Sequence, residues 1–142
     1  MILVDTSVWV GHLREGVPAL AAVLDEGIVL THPFVVGELA CGHLPNRHEV
    51  LAMLTRLPAA SVASDVEALE LIERRSLAGR GIGYVDAHLL ASTALTPGAS
   101  LWTRDRRLAS IALELDLGLK PDFFLRQPRA KYRAGREVRA NA

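Results

Sequence analysis

The feature that most narrows the fold of this chain is a rhythm. Very short, almost purely apolar runs alternate with longer stretches that are apolar on one side only. Residues 2–4 (ILV), 28–30 (IVL) and 99–103 (ASLWT) are too short for helices and lack in/out alternation, which is the pattern of strands buried on both faces. Between them, Trp9 and Leu13 stand four apart, Pro18 can open a helix and Gly27 close it, and Pro33 fits the first turn of a helix running to about Gly42. Asn46 with Glu49, and Ser64 with Glu67, have the spacing of N-terminal capping boxes. Val66, Leu69, Ile72 and Ser76 then form the expected inward face of one helix, and Leu108, Ile111, Ala112 and Leu115 that of another. A further helix begins near Val85, after the glycine-rich loop AGRGIG, and weaker strands are expected at 59–62 and 117–119. The reading is α/β: a three-layer sandwich with a central parallel sheet flanked by helices.

In such sheets ligands bind beyond the carboxyl ends of the strands, where the strand order reverses. That makes the acids at strand ends conspicuous. Asp5 follows the first apolar run directly, with Thr6 and Ser7 behind it as helix-cap candidates, and Asp105 follows the run ending at Thr103. Two more acids sit among apolar neighbours on helices. Glu38 lies four residues after Phe34 and three after Val35, beside the small Gly37, Ala40 and Cys41. Asp86 shares a side with Leu89, Leu90 and Thr93. The remaining acids are readable as cap partners, solvated helix faces or loop residues. Four carboxylates meeting at one crevice cannot all stay ionised without cations, since like charges raise one another's pKa. An all-oxygen donor set selects hard cations, Mg²⁺ or Mn²⁺. The five histidines offer no zinc spacing and read as ordinary surface or core residues.

Of the 142 residues half are hydrophobic and mean hydropathy is +0.23, ample for one core, yet no apolar run is long enough to span a bilayer. One cysteine, Cys41, excludes an internal disulfide framework and fits a reducing compartment, so a cytoplasmic protein is expected. The formal net charge is zero but unevenly spread. Residues 126–142 carry six basic groups against Glu137, a net of +5, which leaves 1–125 at −5. The expected organisation is a domain over 1–125 and a basic, flexible tail over 126–142, either an extension that binds a polyanion or a partner or a solubilising, disordered terminus.

The segments MILVDTS, PFVVGELACG, GIGYVDAHLLAS and LWTRDRRL, in this order and spacing, resemble the PIN-domain nucleases and look most similar to the VapC-type toxins of bacterial toxin–antitoxin modules. The resemblance spans roughly residues 1–120. It implies an acidic, metal-dependent ribonuclease site in which Asp5, Glu38, Asp86 and Asp105 are the quartet and Thr6, Ser7 and Thr103 orient the carboxylates. It also implies in-line attack leaving a 3′-hydroxyl and a 5′-phosphate, a VapB-type antitoxin partner that can set a basic side chain among the acids, and a homodimer.

A negative site must still hold a polyanion. Arg80 in the glycine-flanked loop, and Arg104 and Arg107 beside Asp105, are the candidate phosphate contacts. Receiver-type and haloacid-dehalogenase-like domains fit poorly, because each wants a second acid close to the first strand where this chain has DTS. The alternative is a non-catalytic RNA-binding module using the tail and the arginine loops. It would lack stacking platforms, since the few aromatic residues are not clustered in sequence.

Overall fold

The computed structural model describes residues 1–125; the basic segment 126–142, and the expectation placed on it, lie outside the described residues. The elements run β1 (Ile2–Val4), α1 (Thr6–Arg14), α2 (Pro18–Asp25), β2 (Val29–Leu30), α3 (Pro33–Ala40), α4 (Arg47–Arg56), α5 (Asp65–Arg74), α6 (Tyr84–Leu95), β3 (Ser100–Trp102), α7 (Arg106–Glu114) and α8 (Asp122–Leu125). The strands form one parallel sheet in the order β2-β1-β3, with Ile2 opposite Val29 and Ser100, and Val4 opposite Trp102. Single parallel bridges, Thr31 to Ala59 and Leu101 to Gly118, extend it on both sides where the weaker strands were expected.

The sheet is buried as its composition demands. Leu3, Val4, Leu101 and Val29 are essentially inaccessible, and helix residues Trp9, Leu20, Leu54, Leu89, Leu90 and Leu108 close over them. Each such side chain contributes about 1.5–3 kcal/mol by leaving water. Because β1 is central and the chain moves to β2 on one side and β3 on the other, the order reverses at β1. The crevice between the carboxyl ends of β1 and β3 is therefore the fold's natural site. Asp5 stands there, its backbone N–H donating to the Trp102 carbonyl at 2.9 Å.

Two local expectations are corrected. Asn46 does precede α4, but in the left-handed conformation (φ 53°, ψ 41°), and its side chain caps nothing. Asn tolerates that conformation better than most residues, so it serves as a turn rather than a cap. The Ser64–Glu67 capping box forms as expected, at 3.1 and 2.9 Å. The helix behind it, however, faces differently: Val66 and Leu69 are 65% and 53% exposed, while Ala68 is buried and Leu71 and Ile72 half-buried. Ala63, Ala68 and Ala91 meet where α5 lies against α6, so the contact is made through small side chains that allow close approach.

Candidate active site

The residues after β1 and β3 are tied together by hydroxyls. Asp5 is only 7% exposed, and its Oδ2 accepts from Ser7 Oγ and from Thr103 Oγ1, both at 2.7 Å. Ser7 Oγ also accepts from the Arg104 N–H at 3.0 Å, and Thr103 Oγ1 accepts from the Asp105 N–H at 3.1 Å. The first turn of α1 and the turn entering α7 are thus stitched across the crevice at a sequence separation of nearly the whole domain. Asp105 is the N-cap of α7, its Oδ1 accepting from the N–H groups of Arg107 (2.9 Å) and Leu108 (3.0 Å).

The two helix-borne acids join from α3 and α6. Thr6 Oγ1 donates to Glu38 Oε1 at 2.8 Å, which links α1 to α3. Glu38 is exposed rather than turned inward: Val35 and Leu39 take the buried side of α3. Gly37 beside it has open space where a side chain would stand, so it is not there to admit a neighbour. Asp86 lies in the first turn of α6, and its Oδ2 accepts from the Gly83 N–H at 3.1 Å. Burial pushes the Asp86 carboxyl above the ordinary range. The Gly83 N–H opposes that shift, and the charges of Asp5, Asp105 and Glu38 add to it. All four expected acids therefore share one electrostatic neighbourhood, and each of the three expected hydroxyls bonds a carboxylate.

A common pattern runs through the quartet. In each carboxylate one oxygen is committed to the protein, and the other takes no hydrogen bond from a described residue. None of the four makes an ion pair among the described residues. Nor do three His, Cys, Asp or Glu groups converge closely enough, as placed, to ligate one ion between them. That donor set fits a small hard cation better than zinc, since Mg²⁺ is commonly held by one or two carboxylates and keeps several waters.

The arginines separate. Arg80 is paired with Glu114 of α7, Nη1 to Oε2 at 2.5 Å, so it pins the 79–83 loop to α7 rather than standing free for a phosphate. Arg107 reaches the same loop, occupying the space over Gly81 that a side chain there would need, and Gly81 itself is left-handed (φ 84°). The Arg104 guanidinium lies over Gly11 of α1. Gly11 did not stand out in the sequence and Gly81 did so only as part of the AGRGIG loop, since only folding sets an arginine against either. The expectation of no aromatic clustering is also corrected: Trp102, Phe123 and Phe124 form a cluster with centroids 5.1–5.8 Å apart, and Phe34 and Tyr84 pack edge-on against His88. Beside Glu38, a cavity of about 320 Å³ is walled by Val10, Leu13, Leu39 and Leu44, with Arg14 and His43 also lining it.

Comparison with known proteins gives the same family twice. The model of the PIN domain matches residues 2–114. Proteins named Ribonuclease VapC32 from two strains of Mycobacterium tuberculosis, CDC 1551 / Oshkosh and ATCC 25618 / H37Rv, are each 47% identical over 119 residues, which is 84% of this chain and 96% of theirs.

Proposed function

The chain belongs to the PIN-domain family, and on that premise we propose that it is a metal-dependent endoribonuclease hydrolysing RNA phosphodiester bonds, the toxin of a type II toxin–antitoxin pair. The observation that carries this reading is the set of four carboxylates, each with one oxygen fixed by the protein and one left uncommitted. The name of its relatives supports RNA as the substrate and a VapB-type antitoxin as the partner.

Asp5, Glu38, Asp86 and Asp105 are the catalytic carboxylates. Asp5, Glu38 and Asp86 would hold a divalent ion, Mg²⁺ or Mn²⁺, directly or through water, and Asp105 would complete the set as an outer ligand or water orienter. Bound there, such an ion would offer positive charge to the phosphate oxygens and lower the pKa of a water. The chain's own part is positional. Ser7 and Thr103 hold Asp5, Thr6 holds Glu38, and the Gly83 N–H at the start of α6 holds Asp86, so each carboxylate keeps one oxygen anchored and the other available. Arg104 and Arg107 grip flanking phosphates, and attack in line leaves a 3′-hydroxyl and a 5′-phosphate. Arg80, tied to Glu114, supports the loop beside Asp86.

Residues 1–125 are the nuclease domain, and 126–142 a basic extension available to RNA or the antitoxin. The apolar cavity beside Glu38 suits an anchoring side chain of an antitoxin segment, from which a basic group would reach the carboxylates. We place the protein in the cytoplasm as a homodimer. Among the described residues no helix is long and apolar enough to cross a membrane.

The test is cleavage of several RNA classes by the purified chain with Mg²⁺, Mn²⁺ or EDTA, beside a folded Asp86→Ala variant. Metal-dependent cleavage lost in the variant is the expected result. Equal behaviour of the two proteins across all RNAs would remove the quartet's catalytic role.

A further inference from the structure

Gly11 is the sixth of the nine residues of α1, in mid-helix. It is not among the glycines with positive φ, so its backbone asks for nothing that alanine could not provide. A glycine at such a position costs about 1 kcal/mol relative to alanine. What the structure shows in return is room: a Cβ built on Gly11 would fall on the guanidinium of Arg104, against Nη1, Cζ and Nη2. The other end of that side chain is fixed as well. The Arg104 N–H donates to Ser7 Oγ, and Ser7 Oγ donates to Asp5 Oδ2. Its two chain neighbours are Thr103, which orients Asp5, and Asp105, which caps α7. Arg104 is exposed and makes no ion pair among the described residues, so its charge is not neutralised by a protein carboxylate.

We propose that Gly11 is a positioning residue: it is the notch in α1, one turn on from Ser7, that seats the Arg104 guanidinium, where it holds an RNA phosphate flanking the one to be cut. The proposal rests on the ribonuclease reading and deepens it, by naming the element that fixes one phosphate contact. Gly81 plays the same part for Arg107, whose Nη1 and Cδ fill the space over it. Its left-handed backbone would confound any substitution there, which leaves Gly11 as the informative position.

The obstructing atoms at Gly11 are the far end of a flexible side chain, so Gly11→Ala displaces the guanidinium and leaves the fold intact. The variant should melt at or above the wild-type temperature, because alanine is the better helix former. It should also bind a short fluorescein-labelled single-stranded RNA, titrated in EDTA, roughly three- to tenfold more weakly, the loss of about one phosphate contact. The slope of log K against log salt should fall by about one contact, as it does for Arg104→Gln. With Mg²⁺ or Mn²⁺ the loss should appear in KM with kcat nearly unchanged. The double variant should be no weaker than Arg104→Gln alone. A Gly11→Ala protein that binds and cleaves like wild type while Arg104→Gln is impaired would overturn the proposal, as would additive losses in the double variant. If wild type fails to cleave with either metal, the ribonuclease reading falls, while the binding comparison in EDTA still decides the role of Gly11.

Discussion

At Ser7 a single hydroxyl serves the whole crevice: it donates to Asp5, accepts from the Arg104 N–H, and lies 3.3 Å from Thr103 Oγ1. Ser7→Ala should therefore reduce RNA cleavage by about 10–100-fold, as loss of an orienting partner typically does, at a stability cost of about 1–2 kcal/mol. Initial cleavage rates beside a urea melt would check both numbers. Asp86 makes the opposite trade. Its folded pKa is raised, so the folded state holds the proton more tightly than the unfolded chain, and stability is lost as pH rises from the ordinary carboxylate range through the raised value. Asp86→Asn keeps an acceptor for the Gly83 N–H and removes both the cost of burying a charge there and the repulsion from Asp5, Asp105 and Glu38. In EDTA at neutral pH it should melt higher than wild type while failing to cleave RNA. Added Mg²⁺ or Mn²⁺ should raise the melting temperature of wild type more than that of the variant. A variant that melts lower than wild type in EDTA would show that neither the buried charge of Asp86 nor its repulsion from the other acids strains this site. Asp86 stood out in sequence because an acid among apolar neighbours needs an explanation that a surface acid does not, whereas Ser7 read from the residues alone only as a helix cap and gained an orienting role only through the resemblance.

Among the elements, the relation between α3 and α6 matters most, since Glu38 rides on one and Asp86 on the other. His32 joins them. Its Nδ1 accepts from the Phe34 N–H at 3.0 Å and so caps α3, which leaves Nε2 to donate to Ser92 Oγ of α6 at 2.9 Å. Ser92 Oγ accepts in turn from the Ala63 N–H. Burial, helped by the nearby His88, pushes the His32 pKa down from 6.5 to about 4. Between those values the unfolded chain binds the proton and the folded one does not. Stability is thus fully present above pH 6.5 and declines as pH falls toward 4, by about 3 kcal/mol in all. Thermal melts across that range should show the decline in wild type. His32→Asn, which can still cap α3 but cannot reach Ser92, should be less stable at neutral pH and flatter below it; an equally steep acid decline in the variant would assign the slope to other groups. The histidine read in sequence as an ordinary surface or core residue, and the fold buries it. Its role was invisible because its partners lie up to 60 residues away. The misjudged face of α5 has a different cause. Val66 and Leu69 gave the apolar spacing, but the contact with α6 is made by alanines, whose small size is the reason the helices approach and which carry little weight in a hydrophobic pattern.

For the whole molecule, a buried parallel sheet follows from apolar runs short and uniform enough to read as strands covered on both faces, while their order β2-β1-β3 appears only in the fold, and the position of the site follows from that order. What the order does not supply is a way for an acidic body to hold RNA. Residues 1–125 carry a net −5 and residues 126–142 a net +5, so the excess of positive charge is concentrated in the last seventeen residues and only single arginines such as Arg104 and Arg107 offset the acids of the body. The PIN-domain match stops at residue 114, before that basic segment begins. A chain ending at residue 125 should therefore keep the full cooperative melt and the Mg²⁺- or Mn²⁺-dependent stabilisation, because every hydroxyl–carboxylate bond of the site lies within it. Its RNA affinity should fall, and the slope of log K against log salt should become shallower by the number of phosphates the segment neutralises, at most about six. At low salt the loss should be large, and near molar salt, where screening acts within a few ångströms, the two chains should converge. If the shortened chain binds RNA with the same slope, the basic segment is not an RNA contact, and its charge is left to act on the antitoxin, which the same titration repeated with the antitoxin's acidic or basic segments would read directly.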